Sequence, residues 1–116
     1  MALSKKELAH LEAVGNYSSW FDELRQNRCA MSLYKYGPAK KNFPDRVQAI
    51  PTMEKCIEKY KETKNTEYLL DAANYLMFEF MFPSIPDARF KPTDSGDSAG
   101  IVGMSIKEIE DMKNNY

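Results

Sequence analysis

Between Thr66 and Phe82 the chain reads TEYLLDAANYLMFEFMF, its longest apolar-rich run, and the polar residues within that run return at helical spacing. At about 3.6 residues per turn, Leu69, Leu70, Ala72, Ala73, Leu76, Met77, Phe80 and Met81 cover almost half of a helix circumference. The spacing predicts a central, heavily packed helix around which the rest of the chain is organised. Glu67, Asp71 and Asn74 fall at i, i+4 and i+7 on a separate narrow stripe, which Phe78 continues one turn further on. A stripe of acids and an amide that ends on an aromatic is a poor solvent face, and it is the first candidate site.

The pattern before this helix predicts three more. Ser4 and Glu7 have the spacing of a capping box, and Leu8, Leu11 and Val14 follow at helical intervals until Gly15-Asn16 supplies a stop, so a short helix over about Ser4 to Val14 is expected. Ser18 and Ser19 can cap a longer one, carrying Trp20, Phe21, Leu24, Met31, Leu33 and Tyr34 and ending at Gly37-Pro38. The two could instead run together through Gly15, which costs only ~1 kcal/mol inside a helix. Tyr34 to Arg46, YKYGPAKKNFPDR, reads as a basic and aromatic loop. Pro51 fits the first turn of a third helix reaching about Thr63, with Met53, Cys56, Ile57 and Tyr60 inward. Its Glu54, Glu58 and Glu62 line up among lysines as a charged outer face, unless one of them points across to Asp71. The short break at Lys64-Asn65 makes this helix and the central one antiparallel neighbours, with Thr66 or Asn65 as the cap.

After Phe82 the periodicity collapses. Residues 83–104 hold three prolines and three glycines, a long ordered loop that Ile85, Phe90, Ile101 and Val102 are expected to tack onto the helical core or a partner. Asp94 and Asp97 lie in a Ser- and Gly-rich context that favours turns and lacks the spacing of a calcium loop. A capping pair, Ser105 and Glu108, opens a short last helix over 105–113. No period-two run calls for a sheet. The expected fold is all-α, one domain over 1–116 with four to five helices.

Composition changes this picture little. Hydrophobic residues at 43% and charged residues at 28% are globular values. No run is apolar enough for a membrane span, and MALSKKELAH lacks a signal-peptide core, so a cytoplasmic protein is expected. Cys29 and Cys56 are too few for a disulfide scaffold, are remote from the single His10, and are expected as buried thiols. Net charge is −1, with residues 1–50 on the basic side and 51–116 on the acidic side, too weak an asymmetry for a nucleic-acid binder.

Three chemistries fit these residues. In the basic loop, Lys35, Lys40, Lys41 and Arg46 offer charge to a phosphate or an acidic partner, while Tyr36 and Phe43 offer stacking faces and Asn74 a further contact. Carboxylates on the third and central helices could converge on magnesium, which would polarise a phosphoryl group while a glutamate orients water. Over residues 51–82 that arrangement resembles the all-α nucleoside triphosphate pyrophosphohydrolases of the MazG and dimeric dUTPase kind. The resemblance implies Glu58, Glu67 and Asp71 as magnesium ligands. The family's tight EExxE cluster is replaced here by Glu54, Glu58 and Glu62 at four-residue steps. A second likeness runs over residues 63–98, where EYLLDAANYLMFEFMFP and the proline-broken tail with TDS look like small phage and prophage proteins of unassigned role.

That second likeness implies a non-catalytic factor, without cofactor, that binds a host protein in the host cell and blocks it, as anti-CRISPR and other anti-defence proteins do. Seven Met and fourteen aromatic residues would suit an adaptable binding surface. This reading is ranked first, ahead of the magnesium enzyme and of a nucleotide-sequestering sponge that would use the basic loop and Asn74. The wide apolar arc also predicts a homodimer through the third and central helices.

Overall fold

Every element of the computed structural model is a helix or an irregular connection, as the periodicity predicts. Residues 2–114 of the chain are described, and among them there is no strand. In order the helices are α1 (Lys5–Ala13), α2 (Ser19–Tyr36), α3 (Ala39–Asn42), α4 (Ala49–Thr63), α5 (Glu67–Met81) and α6 (Ile106–Asn114). None is long and apolar enough to cross a membrane.

The ends of these helices follow from their capping residues. Ser4 and Glu7 close a reciprocal box at the start of α1. Gly15 then takes a φ of +83°, which a helix cannot continue, so α1 and α2 are separate elements. The corner between them is fastened by Glu12, which accepts the Ser19 backbone N–H at 2.9 Å and its hydroxyl at 2.7 Å. Those bonds hold the Glu12 carboxyl below its ordinary pKa. Tyr17 donates to Asp22 across the same corner at 2.6 Å. Between α4 and α5, Lys64 turns left-handed at φ 63° and its N–H returns to the Tyr60 carbonyl. Asn65, rather than Thr66, caps α5 by accepting the Glu67 N–H at 3.0 Å.

The stretch expected as a loop from Tyr34 is partly helical. α2 runs on to Tyr36, where Gly37 at φ +79° stops it, and α3 follows within three residues. Asn42 reaches back from α3 to the Tyr36 carbonyl, supplying a partner that the last turn of α2 lacks.

α5 is the centre of the fold, with its most extensive packing against α4 and a smaller contact with α2. Heavy packing, however, is confined to part of it. Leu70, Ala72 and Asn74 are buried, while Leu76, Phe80 and Met81 are exposed. The tail departs further from expectation: Ile85, Phe90, Ile101 and Val102 are all exposed, where anchoring side chains would be buried. Asp94 accepts the Gly96 N–H and Asp97 accepts the Asp94 N–H, so both acids build a turn. Cys29 and Cys56 are free and half-buried, not enclosed.

The accessible surface is 10066 Å² for a 13.4 kDa chain. A folded monomer of that mass exposes about 6,500 Å². The radius of gyration, 17.0 Å, also exceeds the roughly 13 Å of a compact domain of this length. The chain alone leaves much of its apolar surface in water.

Candidate binding groove

The stripe that the sequence singles out on α5 faces α2, and α2 answers it with guanidinium groups. Arg28 meets Asp71 side-on, Nε to Oδ1 at 3.0 Å and Nη2 to Oδ2 at 3.1 Å, and its third nitrogen reaches Glu67 at 2.9 Å. The bidentate carboxylate raises the Arg28 pKa, chiefly through the Asp71 hydrogen bonds. One turn along, Asn74 is buried with both ends of its amide engaged. Its nitrogen donates to the Arg25 carbonyl at 3.1 Å and its oxygen accepts from Arg25 Nη1 at 3.3 Å. The spacing is matched on the two helices, i and i+3 on α2 against i and i+3 on α5. Neither arginine stands out in the sequence, where α2 reads as a source of apolar area; the i, i+3 spacing of Arg25 and Arg28, which puts them on one face, was the available signal.

This seam decides what the acids can do. Magnesium needs several carboxylate oxygens converging on one point. Here both Asp71 oxygens and one of Glu67 are held by a fixed cation, and among the described residues no group of three or more His, Cys, Asp or Glu side chains stands close enough together to hold a metal ion. Glu58 is exposed on α4 and is not brought to the other two, so the residues present do not form the oxygen-rich shell the magnesium reading requires. Nor does Asp71 pair with a glutamate of α4; its partner is on α2.

Beyond Asn74 the stripe opens into a groove. A small cavity of about 110 Å³ is lined by Arg28, Lys35, Asp71 and Asn74, and a larger one of about 550 Å³ by Gly37, Asn42, Phe43, Arg46 and Val47. Ser32, Tyr36, Tyr75 and Phe78 line both, so the two are one continuous feature between α2, α3 and α5. Phe43 stacks on Phe78 with centroids 4.8 Å apart, and Tyr75 meets Phe78 edge-on at 6.1 Å. Burial pushes the Tyr75 hydroxyl above its ordinary pKa, with smaller pushes from Cys56 and Asp71.

Of the sequence candidates, Lys35, Arg46, Tyr36, Phe43 and Asn74 all line this groove. Lys40 and Lys41 do not; both are exposed on α3. Asn74 proves to be a buried positioning residue between α2 and α5. Ser32 and Tyr75 were missed, since nothing in their local spacing distinguishes them. Among the described residues neither Lys35 nor Arg46 has a carboxylate within ion-pairing distance. The groove therefore offers two unneutralised cations at its rim and an aromatic floor. Comparison with protein-family models, curated proteins and solved structures finds no match to this chain.

Proposed function

We propose that the chain is a non-catalytic binding protein of the phage type, acting in the host cytoplasm by covering a working surface of a host protein, such as a CRISPR or other defence complex. The observation that supports it most is the contrast between the two ends of the α5 stripe. The acids are spent on holding α2, whereas Lys35 and Arg46 remain free beside Tyr36, Phe43, Tyr75 and Phe78. Such a groove suits an acidic segment that carries an apolar or aromatic anchor, and Tyr, Phe, Met and Arg are the residues that protein interfaces favour. The anti-defence role itself rests on the likeness to small phage proteins.

Two measurements test this. Calorimetric titration with a nucleotide panel, with and without magnesium and with product analysis, is expected to be silent. Turnover would replace the proposal with a hydrolase, and stoichiometric binding without turnover would replace it with a nucleotide sponge. A protein captured from a defence-proficient host is then purified and assayed. Its activity should fall in proportion to added chain, and Lys35→Glu with Arg46→Glu should relieve the inhibition while the helical spectrum is unchanged.

A further inference from the structure

The two cations of the groove stand apart. Lys35 lines only the small cavity and Arg46 only the larger one, and the wall that both cavities share is Ser32, Tyr36, Tyr75 and Phe78. One cation therefore lies at each end of an aromatic wall. Charge divides in the same way. In the small cavity Arg28 and Asp71 neutralise each other through their bidentate pair, which leaves Lys35 as the one lining charge without an ion-pair partner among the described residues. Arg46 is the one charged residue that lines the larger cavity. The two ends also differ in size. A dry cavity of roughly 150 Å³ accepts a benzene ring. The small cavity, at about 110 Å³, falls below that, and the larger, at about 550 Å³, is well above it. The small end admits a carboxylate but no ring, so a ring must enter beside Phe43 and Phe78.

We propose that the groove recognises a linear peptide segment carrying one aromatic residue between two acidic ones, the acids read separately by Lys35 and Arg46 and the ring by the larger cavity. The inference rests on the groove being a protein-binding site and specifies what the bound protein presents. A nucleotide is a poorer match, because its phosphates gather on one side of the base, whereas the groove offers positive charge on both sides of a ring. Both cations are exposed, so each acid contributes only as a solvated pair and the ring carries most of the affinity.

The test is an NMR titration of the isotopically labelled full chain with end-capped peptides that hold one phenylalanine between two glutamates on glycine spacers of varied length. Amide shifts should concentrate on the groove residues. Replacing the phenylalanine by alanine should weaken binding by at least about 10-fold, and replacing either glutamate by glutamine by about 3- to 5-fold. Lys35→Gln should abolish the effect of neutralising one glutamate and keep that of the other, and Arg46→Gln should do the reverse. Peptides that shift no groove amide at any spacing overturn the proposal, as does a cation variant that silences both glutamates or neither. A host protein still inhibited through Lys35 and Arg46 would in that case keep the function proposed above, with a folded surface as the occupant. Peptide binding as described with no host protein inhibited would remove that function and leave the peptide specificity standing.

Discussion

Replacing Asp71 with alanine separates a structural role for the α5 acids from a metal-binding one, and the geometry sets the size of the effect. The substitution removes two charge-assisted hydrogen bonds, at 3.0 and 3.1 Å, and leaves Arg28 with only the more exposed Glu67. The side chains of Arg28 and Asp71 are 33% and 24% exposed, so the pair sits between two limits. A solvated pair contributes at most ~1 kcal/mol, and breaking a buried one costs ~3–5 kcal/mol. Screening by the remaining solvent places Asp71→Ala at about 2 kcal/mol. At a urea slope of roughly 1.5 kcal/mol/M, that moves the unfolding midpoint down by about 1.3 M with the slope unchanged. A double-mutant cycle with Arg28→Met should return a coupling of about 1 kcal/mol or more, reduced in molar salt. A midpoint within about 0.2 M of wild type would refute the reasoning, because the ion pair would then behave as an exposed pair that contributes nothing. Magnesium is expected to leave the wild-type melting temperature where it is; a rise that Asp71→Ala abolishes would return the carboxylates to a metal.

Two further outcomes follow from the same helix. Asn74→Leu removes the second hydrogen bond to the Arg25 carbonyl, which the α2 ladder still satisfies, and the acceptor of Arg25 Nη1 at a buried position, so it should cost about 1–3 kcal/mol in urea unfolding; a neutral substitution would show that the amide is not what registers α2 on α5. At high pH, Cys56 is raised from 9.0, first by burial and then by Asp71, and Tyr75 is raised from 10.0, first by burial and then by Cys56 and Asp71. Both groups stay neutral longer in the folded chain than in the unfolded one. Their contribution is therefore complete below the unfolded values and is lost as pH rises through the folded ones. The melting temperature should begin to fall above pH 9.0, with Cys56→Ala removing the earlier part of the loss. A profile flat to about pH 11 would contradict it.

Every helix but α3 was legible, in order and with its caps, because each is decided locally. Ser4, Ser18 and Asn65 satisfy backbone donors within three residues, and the apolar repeat of α5 is written in one segment. Gly15 was ambiguous for the same reason: its intrinsic cost in a helix is small, and what separates α1 from α2 is the additional grip of Glu12 on Ser19. The end of α2 at Gly37 was legible, but the single turn of α3 was hidden by the prolines and lysines of the stretch expected as a loop. The groove was half legible. Lys35, Tyr36, Phe43 and Arg46 were found because charge and aromatic rings crowd one stretch, but Ser32 and Tyr75 belong to it only through the way α2 and α5 meet.

The α5 stripe shows why the acids misled and the apolar residues did not. Glu67 and Asp71 at i and i+4 fix a common direction on the helix, and a direction is equally suited to a cation in solution, a metal or an arginine. Which of these arrives depends on α2, forty residues earlier in the chain, and no local spacing carries that information. Leu69, Ala73, Leu76 and Phe80 also fix only a direction, but in water an apolar stripe has one favourable outcome, contact with another apolar surface. α2 and α4 already occupy the other two sides of the helix. The face left over, with Leu76 49% and Phe80 71% exposed, lies away from the groove lined by Arg46, Phe43, Tyr75 and Phe78.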